Sequence, residues 1–403
     1  MKKILSLVMV LAMVLAIGAG CGGDDTPQGG TQTDGKVVKV GIFEPASGEN
    51  GAGGKQEVLG IRYAHSLQPT VTIGGEEYTV ELVEVDNQSD TTKAVTAAQS
   101  LASSGVSVVL GSYGSGVSIA AGDTFKTAQI PAIGVSCTNP QVTQDNEYYF
   151  RVCFLDPFQG TVMANFAKDE MKADTAFVIT QLGDDYSSGL GAYFKQAFTD
   201  LGGTVLEAQF QTGETDFNAI LTNVLNSDAD VIFAPSSIQT APLLIQQARQ
   251  MGITMPILAG DTWENESIIN NAGQYATDVY LSTFFDENDT SNPAAAEFVT
   301  GFKAWLNADA QNLTNNGDSD GVAAVSALGF DAYNVAVAAL EAAGSTAGTD
   351  VQAALPGVTY ENGVTGSISF NENGDANKDM AYIKTINVET GAFDFLKTQS
   401  IAE

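Results

Sequence analysis

Short apolar runs recur along the chain between glycine-rich or polar turns, and they predict β-strands. Residues 106–110 form a largely β-branched run followed by glycine, which is typical of a strand buried in a parallel sheet. Residues 78–85 alternate apolar and acidic positions, as expected for a half-buried strand. The other predicted strands cover residues 37–43, 130–134, 176–180, 205–210, 231–234, 257–259, 279–284, 368–370 and 382–388.

Longer stretches between these strands predict helices, and the longest, 322–343, is rich in alanine and is expected to pack on a sheet. The alternation of strands and helices implies parallel sheets with right-handed crossovers. The pattern restarts after Arg151, and 403 residues exceed what one compact core usually holds. We therefore predict an α/β protein with two Rossmann-like lobes. The other predicted helices cover 55–66 (after a glycine-rich loop), 90–103, 117–127, 186–201, 217–225, 241–251, 266–271 and 293–306.

The first residues predict an export signal and a tether. Two lysines precede an apolar run over 4–17, which is too short to span a bilayer comfortably but suits a signal peptide. The small residues directly before Cys21 resemble the lipobox of bacterial lipoproteins, in which the cysteine is lipidated. We predict a signal peptide over 1–20, lipidation of Cys21 and a flexible linker over 21–35, so that the protein is anchored outside the cytoplasm. An ordinary secretory peptide is the alternative.

Composition narrows the possible functions. Acidic residues outnumber basic ones 48 to 17, and the formal net charge is −31. A surface this negative excludes a general nucleic-acid binder and docking on anionic lipid through a basic patch. His65 is the single histidine of the sequence, which excludes multi-histidine metal sites and disfavours a histidine-based catalytic triad. The three cysteines exclude four-cysteine zinc sites, so we expect no metal.

Glycines and hydroxyl groups follow two neighbouring predicted strands. After the strand that ends at Leu110, residues 111–118 are Gly-Ser-Tyr-Gly-Ser-Gly-Val-Ser and lead into a helix. Because glycines allow close approach and a helix start offers unpaired N–H groups, the loop with Ser115 predicts a small anion site. Its glycine spacing matches neither a phosphate loop nor a dinucleotide fingerprint, so we expect no cofactor. Ser136 and Thr138 follow the next strand and favour a carboxylate ligand; a turn with a serine N-cap is the alternative.

An acidic residue follows a predicted strand in the second half. Asp261 comes shortly after the strand 257–259, where it could receive an ammonium group; a helix cap is the alternative. Trp263 is a candidate pocket wall, and Tyr186 is a candidate cleft residue that could equally start its helix. Hydroxyl groups and a helix start in one lobe, facing an acid in the other, suit an α-amino acid, because both of its charges need partners when buried.

The chain from about residue 36 onward resembles the solute-binding proteins of branched-chain amino-acid ABC transporters, the leucine/isoleucine/valine-binding type. The resemblance implies a periplasmic binding protein type I fold, with two parallel-sheet lobes joined by a three-segment hinge. It also implies chain crossings near residues 155, 283 and 373. The motifs that carry it lie at 40–43 with 47–48, 111–118, 137–143, 150–160, 260–261 and 330–334. The implied N-terminal lobe is 36–155 plus 284–373, and the C-terminal lobe is 156–283 plus 374–403.

The same resemblance implies a site and a function. Ser115, Ser136 and Thr138 match positions that hold the ligand's α-carboxylate and ammonium, and Tyr186 matches a cleft tyrosine. Asp261 or its neighbour Thr262 matches an acid for the ammonium, with Asp261 as the better candidate. The expected protein is a monomeric binding protein rather than an enzyme. It would capture an amino acid, with a branched-chain one as the first expectation, and deliver it to an ABC permease.

Three features depart from the pattern that the resemblance implies. Residues 51–54 are Gly-Ala-Gly-Gly where branched-chain binders often carry a cleft tyrosine, and Ser237 stands where another pocket tyrosine is common. Tyr113 replaces an aliphatic residue in the glycine loop. We therefore expect a reshaped side-chain pocket, with other amino acids or a small amide as alternatives to leucine.

Two further questions stay open at the level of sequence. Cys137 and Cys153 each lie near the end of an apolar run, and an extracytoplasmic setting permits a disulfide between them; two separate buried thiols are an equal alternative.

A sensor that signals through a membrane partner is an alternative to the transport protein and would use the same cleft. An enzyme is the third alternative, but the adjacent acids at 184 and 185 are more typical of a helix cap than of catalysis.

Overall fold

The computed structural model describes residues 35–289 and 291–400. Residues 1–34 lie outside this range, and with them the predicted signal peptide, Cys21 and nearly all of the predicted linker. Within the range, none of the helices combines the length and the apolar character that a membrane crossing requires.

The first lobe is built on a six-stranded sheet. Apart from the antiparallel edge pair β2–β3, all of its neighbouring strands are parallel. Parallel strands need crossover connections, which explains the helices that the sequence inserts between them. In spatial order the strands are β2 (Thr70–Ile73), β3 (Glu76–Asp86), β1 (Lys36–Glu44), β4 (Val108–Leu110), β5 (Ala132–Gly134) and β6 (Tyr149–Arg151).

The second lobe is built on a seven-stranded sheet, with five parallel strands and two antiparallel ones at one edge. In spatial order the strands are β15 (Ala392–Ser400), β14 (Met380–Asn387), β11 (Val279–Thr283), β10 (Ile257–Ala259), β9 (Val231–Phe233), β7 (Thr175–Leu182) and β8 (Thr204–Gln211). A separate antiparallel pair is formed by β12 (Thr359–Tyr360) and β13 (Ile368–Ser369).

Helices cover both sheets. In the first lobe these are α1 (Gly51–Leu67), α2 (Thr91–Ser104), α3 (Ser115–Ala128), α9 (Pro293–Asn307), α10 (Ala310–Asn315), α11 (Ala324–Ala343) and α12 (Gly348–Ala354). In the second lobe they are α4 (Asp156–Asp169), α5 (Asp185–Asp200), α6 (Asn218–Leu225), α7 (Ala241–Gln250) and α8 (Glu266–Ala272). Short 3₁₀ turns lie at Pro140–Val142, Asp261–Trp263, Gly273–Tyr275 and Leu355–Gly357.

The chain passes between the lobes three times. It leaves the first lobe after β6, because α4 packs on α5 and β11 of the second lobe. It returns after β11, because α9 and α11 pack on α1. It leaves again between β13 and β14, the latter being part of the second sheet. Two α/β lobes with three connections confirm the predicted fold class; the lobe boundaries at residues 155, 283 and 373 stay a prediction.

Several elements differ from the predicted ones. The run 51–54 is the first turn of α1 and not a loop. Its glycines permit close packing: a Cβ on Gly53 would be 2.3 Å from the ring of Tyr113, and one on Gly54 would be 2.2 Å from the carbonyl oxygen of Pro45. The strands β2, β6, β12 and β15 were not predicted. The first three are four residues long or shorter, too short for a pattern to stand out in the sequence. The edge strand β15 has mostly exposed side chains and therefore no buried apolar run.

Candidate ligand-binding cleft

The carboxyl ends of the parallel strands in both lobes surround a cavity of about 230 Å³. It is lined by residues at or after the ends of β1, β3, β4 and β5 in the first lobe and of β7, β8 and β10 in the second. This is where ligands bind in open α/β sheets. The volume is below the range of about 300–1,000 Å³ that is usual for drug-sized ligands, so the cavity suits one small molecule.

In the first lobe, Ser115 and the start of α3 provide donors without any cationic side chain. Ser115 is the first residue of the 14-residue helix α3, and no side chain caps the helix. The Ser115 hydroxyl accepts a hydrogen bond from the backbone N–H of Asn139 (3.2 Å), which leaves its own proton for a ligand. The loop before it needs glycine at Gly111, because φ is +125° there and a Cβ would lie 2.2 Å from the carbonyl oxygen of Phe43.

Beside this loop lies a pair of buried carboxyl groups that sequence reasoning missed. Glu44 accepts a hydrogen bond from the backbone N–H of Tyr113 (2.8 Å), and Ser136 donates to Glu57. Burial raises the pKa of both carboxyl groups, and the adjacent Glu57 raises the pKa of Glu44 further. Two neighbouring carboxyl groups buried in this way are hard to ionise together. A signal for Glu57 existed: it lies four residues before Ile61, on the buried face of α1.

In the second lobe, Asp261 is held by two neighbours. It begins a 3₁₀ turn just after β10, and its Oδ1 accepts hydrogen bonds from the hydroxyl of Tyr186 (3.0 Å) and from Nε2 of Gln159 (2.9 Å). Burial raises the pKa of Asp261 to about 6, against the lowering effect of these two donors. The carboxylate is therefore mainly ionised at pH 7 and able to receive a cation. Gln159 was not predicted, because it lies on α4, far from Asp261 in sequence.

Hydrogen bonds join the two lobes around the cavity. Nε2 of Gln181 in the second lobe donates to Oε2 of Glu49 in the first (2.8 Å), and Nδ2 of Asn139 donates to the carbonyl oxygen of Asp185 (2.8 Å). The Tyr113 hydroxyl donates to the carbonyl oxygen of Thr262 (3.3 Å). The structure therefore represents the lobes in a closed arrangement.

The lining is rich in carboxylates, namely Glu49, Asp90, Asp184, Asp185 and Asp261, and no Lys, Arg or His side chain of the described residues lines it. Asp90 and Asp184 are also N-caps of α2 and α5. Burial raises the pKa of Asp184 to about 6, and the charges of Glu49 and Asp185 add to the effect. The start of α3 is thus the electropositive part of a strongly negative cavity.

Of the eight predicted binding residues, five line the cavity: Tyr113, Ser115, Ser136, Tyr186 and Asp261. The other three do not line it. Thr138 is fully buried, the hydroxyl of Ser237 donates to Thr240 (2.9 Å), and the fully buried Trp263 donates from Nε1 to Ser236 (3.3 Å). The side chains of Ser237 and Trp263 thus form local hydrogen bonds within the second lobe, and Thr138 is buried in the strand-end loop of the first.

Cys137 and Cys153 are both buried free thiols in the structure. Burial raises the pKa of each, so both are protonated at neutral pH. Of the two alternatives left open by the sequence, the structure has the unbridged one.

No group of three or more His, Cys, Asp or Glu side chains in the described ranges is arranged to hold a metal ion. What the cleft can do chemically is bind: it offers hydroxyl and N–H donors to an anion from one lobe and a carboxylate to a cation from the other.

Two α/β lobes with three connections and a closed polar cleft define a two-lobed solute-binding protein. A family model described as periplasmic binding protein matches residues 37–391. The chain is 33% identical to the leucine binding protein LivK of Thermotoga maritima, with a TM-score of 0.83 over 91% of this chain and 99% of that one. LivJ of Streptococcus pneumoniae, solved with isoleucine, is 27% identical with a TM-score of 0.79, again over 91% and 99%.

A curated relative, Leu/Ile/Val-binding protein homolog 1 of Brucella melitensis, is 28% identical over 93% of this chain and 94% of its own length. The chain therefore belongs to the periplasmic binding protein family, in the group of substrate-binding proteins of branched-chain amino-acid ABC transporters. Membership implies a location outside the cytoplasm.

Proposed function

We propose that the protein captures one α-amino acid between its lobes and delivers it to an ABC permease. The observation that carries the proposal is the division of the cleft. Ser115 and the start of α3 lie on one side, and the ionised Asp261 lies on the other, around one cavity of amino-acid size. These are complementary to the two charges of a zwitterion.

The α-carboxylate would bind in the first lobe. The Ser115 hydroxyl and the unpaired N–H groups of the first turn of α3 are suitable donors, and the positive end of the helix dipole adds to the attraction. Ser136 also lines the cavity, but its hydroxyl donates to Glu57 and so would act toward a ligand only as an acceptor.

The α-ammonium would bind Asp261. Both neighbours that hold this carboxylate donate to Oδ1, so Oδ2 is the oxygen proposed for the ligand. Because Asp261 belongs to the second lobe and Ser115 to the first, only the closed protein makes both contacts, and ligand binding favours closure.

Finer features are proposed with this function. The names of the relatives make leucine, isoleucine and valine the first candidate ligands. The lipobox-like sequence before Cys21 supports a lipid anchor that keeps the protein near its permease. We propose a monomer, because one chain contributes both halves of the cleft.

Isothermal titration calorimetry of the purified protein tests the proposal. The ligands are leucine, its decarboxylated analogue isoamylamine and its deaminated analogue 4-methylpentanoate. Leucine should bind, and each analogue should lose about 10-fold or more, since each leaves one half of the cleft without its charged partner. Equal binding of leucine and either analogue would contradict the assignment of that half. If none of the common amino acids binds, the proposed function is wrong.

A further inference from the structure

Tyr113 lies where the glycine loop of the first lobe meets the first turn of α1, and it lines the cavity while being only 3% exposed. Its ring occupies the space where a side chain at position 53 would begin. A Cβ on Gly53 would be 2.3 Å from Cε2, 2.4 Å from Cζ and 2.8 Å from Cδ2 of the tyrosine. The ring is therefore able to lie there only because residue 53 has no side chain.

Both ends of Tyr113 are anchored. Its backbone N–H donates to the buried Glu44 (2.8 Å), and its hydroxyl donates to the carbonyl oxygen of Thr262 in the opposite lobe (3.3 Å). Burial raises the pKa of Tyr113 well above its usual value, so the hydroxyl stays protonated and keeps this donor. The ring cannot rotate out of the cleft in the closed state without losing the bond to Thr262 or colliding with α1.

The position of the ring relates it to both halves of the proposed site. Tyr113 precedes Ser115 by two residues, and Thr262 follows Asp261 directly. A ligand held by its carboxylate at Ser115 and by its ammonium at Asp261 would thus have this fixed ring as a wall for the rest of the molecule. A rigid aromatic wall excludes by volume, because overpacking against close-packed neighbours is costly.

We propose that Tyr113, seated on Gly53, is a specificity-determining residue that limits the ligand's side chain to one no larger than a branched aliphatic group. The inference rests on the proposed capture of an α-amino acid and specifies its substrate class. The aromatic amino acids phenylalanine, tyrosine and tryptophan are among those that it excludes.

Calorimetry with leucine and phenylalanine measures this limit. The wild-type protein should bind leucine much more tightly than phenylalanine. In Tyr113→Ala, the ratio of the two affinities should shift toward phenylalanine by about 10-fold or more, a typical effect of a changed pocket volume. Tyr113→Leu is a second variant that removes the ring and keeps more of the packing, should the alanine variant fail to fold; it should shift the ratio in the same direction.

Two further variants separate the ring from the hydroxyl. Tyr113→Phe keeps the wall and loses the bond to Thr262, so it should weaken both ligands by about 3- to 10-fold and leave their ratio unchanged. Tyr333→Phe is the matched control: its hydroxyl donates to the carbonyl oxygen of Gln68 (2.6 Å), it does not line the cavity, and neither affinity should change.

The seat of the ring is tested by a double-mutant cycle. Gly53→Ala should weaken leucine binding because its Cβ displaces the tyrosine ring, whereas the same change in Tyr113→Ala should have little effect. Additive effects in this cycle, or an unchanged leucine-to-phenylalanine ratio in Tyr113→Ala and Tyr113→Leu, would overturn the inference. In both cases leucine binding by the wild type would still support the proposed function, and absence of binding by any amino acid would overturn that function itself.

Discussion

Burial decides which carboxyl groups of the cleft carry charge at neutral pH. The pKa of Asp261 is raised only to about 6, because Tyr186 and Gln159 donate hydrogen bonds to it. Glu44 and Glu57 are buried next to each other, so the pKa of both is raised. The acid that lines the cavity is therefore mainly ionised at pH 7, while Glu44 and Glu57 accept hydrogen bonds from Tyr113 and Ser136.

Replacing the charge of Asp261 should weaken binding. We expect Asp261→Asn to lower amino-acid affinity by about 10- to 100-fold, the usual effect of losing a hydrogen bond to a charged group. Asp228→Asn is the matched control, because Asp228 is exposed and does not line the cavity. Calorimetry should also show a smaller loss for a ligand analogue without the ammonium; an equal loss would contradict the assigned role.

Binding should depend on pH with a midpoint near 6. As pH falls from 7 to 5, Asp261 takes up a proton and no longer attracts an ammonium group, so affinity should fall. The contribution of this residue to stability has the opposite sign. Its pKa is about 6 in the folded protein and 3.8 for an unburied aspartate. Its ionisation therefore lowers the free energy of unfolding as pH rises from about 4 to about 6.

The measurement is calorimetry at pH 5 and pH 7 with the wild type and with Asp261→Asn. The variant should lose most of the pH dependence; Asp184, whose pKa is also raised to about 6, accounts for a remainder. A wild-type affinity that is the same at both pH values would show that Asp261 does not bind the ligand's cation.

At the scale of elements, helix α1 is positioned by its contact with α11. A Cβ on Gly60 of α1 would be 1.9 Å from the carbonyl oxygen of Ser326 on α11, so the two backbones approach as closely as glycine allows. The Ser326 hydroxyl donates to the carbonyl oxygen of Gln56 (2.8 Å) and strengthens this contact. Because α1 also carries Gly53 and Glu57, the contact helps to position the residues against which Tyr113 and Ser136 lie.

Separating these helices should destabilise the first lobe. Gly60→Ala is expected to lower the free energy of unfolding by about 1–3 kcal/mol, a typical cost of overpacking. Gly357→Ala is the control, because a Cβ there would meet nothing within 4 Å. Urea unfolding followed by circular dichroism measures both. Equal stability of the two variants would mean that the α1–α11 contact relaxes without cost.

The connection between the lobes contains a buried ion pair. Nε of Arg151, at the end of β6, donates to Oδ1 of Asp375 (2.6 Å), and Nη1 of the same side chain donates to the carbonyl oxygens of Cys137 and Asn139 (2.7 Å each). Arg151 is fully buried and Asp375 is nearly so. The pair joins the strand-end loop of the site to the chain segment that leaves for the second lobe.

Removing one partner should be costly, because the other charge stays buried. We expect Asp375→Ala to lower the free energy of unfolding by about 3–5 kcal/mol. Glu207→Gln breaks the exposed pair with Lys195 and should cost less than about 1 kcal/mol. The comparison uses urea unfolding of both variants, and a cost for Asp375→Ala as small as that for Glu207→Gln would rule out a structural role for the pair.

At the scale of the whole molecule, the closed arrangement depends on contacts between the lobes. Gln56 on α1 is buried, and its side chain donates from Nε2 to Glu266 (2.8 Å) and accepts from Asn265 (2.8 Å), both in the second lobe. These bonds are made only when the lobes meet. They therefore bias the equilibrium between open and closed protein, and with it the apparent affinity.

Loss of these bonds should favour the open form. Gln56→Ala is expected to weaken amino-acid binding by about 3- to 30-fold through two lost hydrogen bonds. Small-angle X-ray scattering should give a larger radius of gyration for the ligand-free variant than for the wild type. Gln196→Ala is the control, because that side chain is exposed and bonds within its own helix to Asp200. An unchanged radius together with weakened binding would mean that Gln56 acts on the site and not on closure.

The sequence by itself determined the α/β class, the two lobes and the loops at the strand ends. These follow from contiguous signals: an apolar run such as 106–110, the glycines that follow it, and the helix predicted from residue 117, which in the structure begins two residues earlier, at Ser115. Placing Ser115 and Asp261 at the cleft followed as well, because the carboxyl ends of parallel strands share one edge of a sheet.

Only the tertiary structure decided which side chains meet there. Thr138 is two residues from the lining Ser136 and Trp263 directly follows the lining Thr262, yet neither lines the cavity, since a side chain's direction at a strand end depends on local backbone turns and on the packing around it. The pairing of Glu44 with Glu57, and the seating of Tyr113 on Gly53, join residues from separate elements. Such contacts are set by how helices and strands pack, which no contiguous pattern records.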